Sequence, residues 1–199
     1  MMHIFKDKQN KHTFLTLHGT GGDEFDLVPL AEYLNPKFNI LSPRGNVNEQ
    51  GMNRFFKRYG MGLFDIPNLL LETDNLYQFI KDSEQKYAFS INDVIALGFS
   101  NGANILESLI QLKSETPKII ILLSPVFVQP NVQFKDLSDH HIYISIDPKD
   151  PYLKPGDMEQ LIVALEHANA QLTVYKHHYG HQVNMQVLEH LKSWLESLI

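Results

Sequence analysis

Residues Val94-Ile95-Ala96-Leu97-Gly98-Phe99-Ser100-Asn101-Gly102 decide the fold of this chain. The apolar run over 94–97 predicts a buried strand, and the pattern from residue 101 onward predicts a helix. Between them, Ser100 stands in the frame Gly-x-Ser-x-Gly, which is typical of a tight strand-to-helix turn that holds a serine hydroxyl over the end of a sheet. Because such a turn is crowded, a side chain at Gly98 or Gly102 would collide with the neighbouring strand or helix. Ser100 is therefore the candidate nucleophile.

The composition limits the possible classes of protein. A chain of 199 residues with 43% hydrophobic content suits one domain over 1–199 with a substantial core. A net charge of −6 with scattered Lys and Arg argues against a nucleic-acid partner, and the lack of cysteine excludes disulfides, thiolate metal sites and a cysteine nucleophile. The N-terminus lacks the apolar core of a signal peptide, and the longest apolar run, Ile119 to Leu123, is too short to cross a bilayer. We expect a soluble, cytoplasmic protein without membrane insertion.

Short apolar runs alternate with helical patterns along the chain. This alternation predicts a mainly parallel central sheet with helices on both faces. The predicted strands are Thr13–Leu17, Phe38–Leu41, Val94–Leu97, Ile119–Leu123, Ile142–Ile146 and Leu172–Tyr175, with Met2–Phe5 as a further edge strand. The predicted helices cover 27–34, 68–87, 101–113, 158–168 after Asp157 as N-cap, and 183–198.

One long stretch, Ser42 to Pro67, has no clear periodicity and is predicted to be an irregular, functional loop. We expect it to form the wall of a substrate pocket near Ser100. Four apolar residues in it are the candidate lining: Met52, Phe55, Phe56 and Phe64. An equally strong interpretation is that these aromatics belong to the core. Arg54 and Arg58 could attract an anionic substrate, or be solvated.

Polar segments follow four of the predicted strands. In open α/β sheets, chemistry lies beyond the carboxyl ends of the strands. These segments are His18-Gly19-Thr20-Gly21-Gly22, Gly98-Phe99-Ser100, Asp147-Pro148-Lys149-Asp150 and His177-His178-Tyr179-Gly180-His181. They would supply an oxyanion loop, a nucleophile, an acid and a base, and the order Ser, Asp, His is that of α/β-hydrolases.

Each role needs its residue type, and some alternatives stay open. A serine is a weak nucleophile unless an imidazole takes its proton, and an acid must orient that imidazole. His181 is the preferred base because it follows a glycine in the turn that opens the last helix. The candidate acids, Asp147 and Asp150, follow the same strand. The backbone N–H groups of Thr20 and Asn101 are the candidate oxyanion donors.

The other histidines have simpler interpretations. His177 and His178 end a strand, and His140 and His141 are expected to be solvated at a strand start. His18 is expected to shape the oxyanion loop. None of the ten histidines stands in a zinc-binding spacing, so no metal is expected.

These motifs together resemble the phospholipase/carboxylesterase family of small α/β-hydrolases, in particular bacterial esterases of the group that includes the hydroquinone-resistance hydrolases. The segments that carry the resemblance are 17–24, Ser42-Pro43-Arg44-Gly45-Asn46, Gly51-Met52 with Arg54-Phe55-Phe56, 98–104 and Gly180-His181-Gln182. The resemblance implies an α/β-hydrolase fold without a large cap domain, with Ser100, Asp150 and His181 as the triad and Thr20 and Asn101 as oxyanion donors. Where family members often carry a glycine before the acid, this chain has Asp147.

The resemblance also implies hydrolysis of an ester or thioester through an acyl-enzyme, without a cofactor. The leading hypothesis is a carboxylesterase on a small-molecule ester with a small or medium acyl group. The alternatives are a thioesterase or lysophospholipase, which would use the same residues, and a non-catalytic ligand-binding protein on a hydrolase fold. The chain is expected to be a monomer or a homodimer.

Overall fold

A computed structural model describes all of residues 1–199. Helices follow most strands of the central sheet, as predicted, but none lies between His3–Lys6 and Thr13–Leu17 or between Ile119–Leu123 and His141–Ile146. The strands are β1 (His3–Lys6), β2 (Thr13–Leu17), β3 (Asn39–Pro43), β4 (Val47–Glu49), β5 (Met52–Arg54), β6 (Arg58–Gly60), β7 (Leu63–Phe64), β8 (Val94–Phe99), β9 (Ile119–Leu123), β10 (His141–Ile146) and β11 (Gln171–Lys176). The helices are α1 (Val28–Leu34), α2 (Ile66–Tyr87), α3 (Asn101–Leu112), α4 (Asp157–His167) and α5 (Met185–Glu196).

Seven strands form one sheet in the order β1-β3-β2-β8-β9-β10-β11. All neighbours are parallel except β1, which runs antiparallel to β3 at the edge. Successive strand side chains point to opposite faces, so each strand feeds two cores. One core packs the sheet against α2, α3 and α4, and the other packs it against α1 and α5. The predicted parallel sheet with helices on both faces is confirmed, and no helix is both long and apolar enough to span a membrane.

The 42–67 stretch is more regular than we predicted. It contains two small hairpins, β4–β5 and β6–β7. The first turns at Gln50 and Gly51, which both have positive φ (55° and 84°), the conformation that two-residue hairpin turns require. These hairpins could not be predicted, because strands of two or three residues with polar members show no alternation of apolar and polar residues.

Every helix start except that of α3 differs from expectation by one or two residues, and two of these differences have a clear local cause. Helix α2 begins at Ile66, where the Asp65 carboxylate accepts a hydrogen bond from the Asn68 N–H (3.0 Å). The predicted cap of α4 is wrong, because Asp157 is the first helical residue and its carboxylate instead accepts from the Lys154 N–H (3.0 Å). Gly156, with a φ of 87°, holds the N-cap position without any side chain to donate or accept.

Candidate active site

The nucleophile turn between β8 and α3 is as crowded as predicted. Ser100 has φ 52° and ψ −115°, a strained conformation for a residue with a side chain. A Cβ at Gly98 would lie 2.5 Å from the Gly102 carbonyl oxygen, and a Cβ at Gly102 would lie 2.0 Å from that of Leu17. Glycine is therefore required on both sides of Ser100, which confirms the steric interpretation of the motif. The turn leaves the Ser100 side chain at the carboxyl edge of the sheet.

Three of the predicted residues form a continuous hydrogen-bonded chain. His181 Nε2 lies 2.8 Å from Ser100 Oγ, and His181 Nδ1 lies 2.6 Å from Asp150 Oδ2. The Asp150 side chain is 2% exposed and that of His181 is 17% exposed. Next to the carboxylate, Nδ1 holds the proton, which leaves Nε2 free to accept from the serine hydroxyl. The other Asp150 oxygen accepts from the Tyr152 N–H (2.9 Å), so the acid is fixed at both oxygens.

Asp147, the other candidate acid, does not contact the His181 ring. Its carboxylate accepts from two backbone N–H groups, those of Lys149 (2.8 Å) and Gly180 (2.7 Å). Both hydrogen bonds lower the pKa of Asp147 because they stabilise the carboxylate, and the one from Lys149 has the larger effect. Asp147 thus ties the end of β10 to the turn that carries His181.

His18 holds the glycine-rich loop after β2. Its Nδ1 donates to the Gly19 carbonyl oxygen (2.6 Å) and its Nε2 accepts from the Gly45 N–H (3.0 Å), which fixes one neutral tautomer. Burial lowers the pKa of His18 and keeps the ring neutral. The geometry matches the expected loop-shaping role. Thr20 follows in this loop, and Asn101 is the first residue of α3, whose N–H has no acceptor within the helix.

A cavity of about 290 Å3 opens above Ser100. Of the four apolar residues predicted to line it, Met52 and Phe64 do so. Phe55 and Phe56 do not, and this corrects the expectation for them: both are fully buried in the core that packs against α2 and α3. The remaining lining includes three residues that sequence reasoning missed, namely Phe99, Val126 and Tyr152.

The His181 ring is held between two of these missed aromatics. Its centroid lies 4.4 Å from that of Tyr152 and 5.3 Å from that of Phe99. Tyr152 comes two residues after Asp150, and Phe99 directly precedes Ser100. Their positions in the sequence next to Ser100 and Asp150 are the only feature from which a place in the site could have been predicted.

Helix α3 fixes both walls of the cavity through polar side chains on successive turns. Asn101 Oδ1 accepts from the Phe55 N–H (2.6 Å), on the hairpin side. Asn104 Oδ1 accepts from the Val126 N–H (2.9 Å), in the segment that follows β9. Further along the helix, Glu107 Oε1 accepts from the Val128 N–H (3.2 Å). Both walls of the cavity are therefore hydrogen-bonded to the helix that begins directly after Ser100.

Glu107 is a carboxyl group enclosed in the core. Its Oε2 has no hydrogen-bond partner. Burial raises its pKa well above the usual range, since no cation balances the carboxylate there. Burial in the contact between α3 and the 126–132 segment therefore favours the neutral form of this acid.

Two histidines outside the site are buried and have structural contacts. His140 was expected to be solvated, but it is 3% exposed, and its Nε2 lies 2.9 Å from Thr116 Oγ1. His177 is also buried, and its Nδ1 accepts from the Tyr179 N–H (3.3 Å). Burial lowers the pKa of both rings. No group of three or more His, Asp or Glu side chains is arranged as a metal site.

A mainly parallel sheet with helices on both faces, no large cap, and a serine turn at the carboxyl edge define an α/β-hydrolase. Comparison with known proteins narrows this class. The chain is 34% identical to the protein named "Putative hydrolase MhqD" of Bacillus subtilis (strain 168), over 100% of both chains. The chain therefore belongs to the carboxylesterase-type family of α/β-hydrolases, and it is an enzyme of the hydrolase class.

Solved structures agree with that family. A carboxylesterase of Bacillus cereus is 37% identical, with a TM-score of 0.93 over 98% of this chain and 93% of that chain. The structure of YahD with malic acid is 35% identical, with a TM-score of 0.91 over 98% of this chain and 97% of that one. A carboxylesterase from Mesorhizobium loti is 26% identical, with a TM-score of 0.88 over 94% and 89%. No family model matches the chain.

Proposed function

We propose that this chain is a serine carboxylesterase that cleaves small-molecule esters through an acyl-enzyme, with residues 1–199 acting as one catalytic domain. The observation that carries the proposal is the pair of hydrogen bonds from Ser100 Oγ to His181 Nε2 (2.8 Å) and from His181 Nδ1 to Asp150 Oδ2 (2.6 Å). A serine hydroxyl, a neutral imidazole and a buried carboxylate in this order form the set that activates a serine for acyl transfer.

The first half of the reaction forms the acyl-enzyme. Ser100 Oγ attacks the ester carbonyl carbon while His181 Nε2 takes the hydroxyl proton. The imidazolium then gives that proton to the alcohol oxygen as the carbon–oxygen bond breaks. Asp150 keeps Nδ1 protonated and stabilises the imidazolium. In the second half, His181 Nε2 takes a proton from a water molecule as its oxygen attacks the acyl carbonyl carbon. The imidazolium then returns that proton to Ser100 Oγ as the carbon–Oγ bond breaks, which releases the acid and regenerates the serine.

The negative oxygen of each tetrahedral intermediate needs fixed donors. The backbone N–H groups of Thr20 and Asn101 are the proposed pair, because both residues line the cavity beside Ser100. A donor of this kind contributes about 3 kcal/mol to transition-state stabilisation. The cycle needs no cofactor.

The cavity favours small or medium acyl groups. Its volume of about 290 Å3 is modest, but Gly62, Phe64 and Val126 also line an adjoining apolar groove. A medium acyl chain can therefore run from Ser100 across Phe64 and Val126 without displacing the core.

The test is hydrolysis of p-nitrophenyl esters from acetate to dodecanoate by wild type and Ser100→Ala, with fluorophosphonate labelling of both. We expect hydrolysis and labelling in wild type only, with rates that fall for the longest acyl groups. Labelling without ester turnover would shift the assignment to thioesters or lactones. A folded wild-type protein that shows neither would contradict the proposal and favour a ligand-binding protein.

A further inference from the structure

The cavity above Ser100 carries positive charge that ester cleavage does not require. Arg54 and Arg58 both line it, whereas no Asp or Glu does. The chain as a whole has a net charge of −6, so this local excess of cations is opposite in sign to the rest of the molecule. Cations that face a concave site raise the local concentration of anionic ligands and can bind them directly.

Two nitrogens of the Arg54 guanidinium contact other side chains of the protein, and the third has no partner. Its Nη1 donates to Thr20 Oγ1 (2.8 Å), and its Nε lies 3.1 Å from Glu49 Oε2. Its Nη2 makes no hydrogen bond within the chain and is not fully enclosed by protein atoms. Burial lowers the pKa of Arg54, and the nearby positive charge of Arg58 lowers it further.

Arg58 is the unpartnered cation of the pair. It is half-buried at the start of β6 and forms no ion pair or side-chain hydrogen bond. In the hairpin, Arg58 stands directly opposite Phe64, which lines both the cavity and the adjoining groove. The nearby Lys154, by contrast, donates its Nζ to the Gly62 carbonyl oxygen (2.9 Å).

This arrangement gives an acyl chain two different contacts. Its methylene groups would lie against Phe64 and Val126, and its far end would come to the guanidinium groups of Arg58 and Arg54. A neutral alkyl end would leave these cations without a partner, whereas a carboxylate would accept their N–H groups in charge-assisted hydrogen bonds.

We propose that the preferred substrates are esters whose acyl group ends in a carboxylate, that is, monoesters of dicarboxylic acids, with Arg58 as the main specificity residue and Arg54 as its support. This inference rests on the proposed esterase function and deepens it. The bond that breaks is still the ester bond next to Ser100, and the free carboxylate takes no part in the chemistry.

The test compares p-nitrophenyl monoesters of glutaric, adipic and pimelic acid with the corresponding methyl p-nitrophenyl diesters, which have the same chain but no charge. Release of p-nitrophenol is corrected for the enzyme-free rate and measured for wild type, Arg58→Gln, Arg58→Lys and Lys57→Gln. Lys57→Gln is the matched control, because it removes the same charge from the adjacent, exposed residue outside the cavity.

We expect wild type to favour at least one monoester over its diester in kcat/KM. Arg58→Gln should reduce that preference by roughly 10- to 100-fold, the effect of one hydrogen bond to a charged group. Arg58→Lys should retain part of it, and Lys57→Gln should keep it. Lys57→Gln, outside the cavity, should also leave the rates on the uncharged diesters unchanged.

Cleavage of the diesters with no preference for any monoester, or a preference that survives in Arg58→Gln, would overturn the inference and leave the esterase function standing. If the wild-type protein shows neither p-nitrophenol release nor fluorophosphonate labelling, the proposed esterase function itself is wrong.

Discussion

Asp147 accepts a 2.7 Å hydrogen bond from the backbone N–H of Gly180, the residue that directly precedes His181. Asp150, three residues after Asp147, contacts the His181 ring itself at 2.6 Å. Two carboxylates after one strand therefore position the same histidine in different ways. Asp147 binds the backbone of the preceding residue, and Asp150 binds the histidine side chain.

This division predicts different losses in two matched variants. Asp150→Asn should reduce kcat by about 10⁴, because an amide at this position favours the wrong tautomer of His181. Asp147→Asn loses only one of the two side-chain oxygens that accept from backbone N–H groups, and it should reduce kcat by about 10- to 100-fold through misplacement of the base. Steady-state kinetics on one p-nitrophenyl ester would measure both. A larger loss in Asp147→Asn than in Asp150→Asn would mean that the acid is Asp147.

The strained backbone of Ser100 predicts an unusual order of stability. At φ 52° and ψ −115°, alanine keeps the strain of a Cβ, whereas glycine relieves it. Ser100→Gly should be more stable than Ser100→Ala by about 1 kcal/mol, although glycine raises the entropy of the unfolded chain. Urea unfolding of the two inactive variants would test this. Equal stabilities, or a more stable alanine variant, would mean that the turn stores no strain.

The enclosed Glu107 predicts a stability change that depends on pH. Its pKa is raised in the folded protein, so above the unfolded value near 4.5 the unfolded state releases a proton that the folded state keeps, and stability is lost as pH rises. Glu107→Gln removes this cost and still offers an acceptor to the Val128 N–H. We expect a stabilisation that is larger at pH 8 than at pH 5. A gain that does not vary with pH would contradict the neutral form of Glu107.

His18 predicts the opposite pH trend. Its pKa is lowered on folding, so as pH falls through the unfolded value near 6.5 the unfolded chain takes up a proton that the folded ring resists, and stability is lost. His18→Gln should be less stable than wild type at pH 7.5, because the fixed contacts to Gly19 and Gly45 are lost. That deficit should shrink toward pH 5.5. Thermal unfolding of both proteins at several pH values would measure it, and a constant deficit would mean that His18 titrates normally.

The centre of the sheet could be predicted from the sequence because its inner strands are buried on both faces and so appear as largely apolar runs. Ile119–Leu123 matches β9 at both ends, and the Gly-x-Ser-x-Gly frame located the turn at Ser100 because sterics permit little else there. The hairpins in 42–67 could not be predicted, since β4 and β5 are fixed by local pairing and by contacts to the glycine-rich loop, such as the Gly21 N–H to the Asn53 carbonyl oxygen.

The lining of the cavity was predictable only in part. Met52 and Phe64 face it, whereas Phe55 and Phe56, adjacent in sequence to Arg54, turn into the core. No periodicity relates these residues, so the direction of each side chain depends on tertiary contacts, including the hydrogen bond from the Phe55 N–H to Asn101. The choice between Asp147 and Asp150 had the same limit, because both positions suit a carboxylate and only the path of the chain after β11 separates them.

The attachment of both cavity walls to α3 has a consequence for laboratory evolution of this protein. Asn101, Asn104 and Glu107 act as anchor points, because each accepts a hydrogen bond from a backbone N–H of a wall segment, and both walls are thereby attached to the helix that follows Ser100. Exchanging Met52 or Phe64 would reshape the surface and leave these attachments in place. A library that seeks bulkier substrates should instead randomise the anchors, where a single side-chain change releases one wall while the nucleophile stays in place.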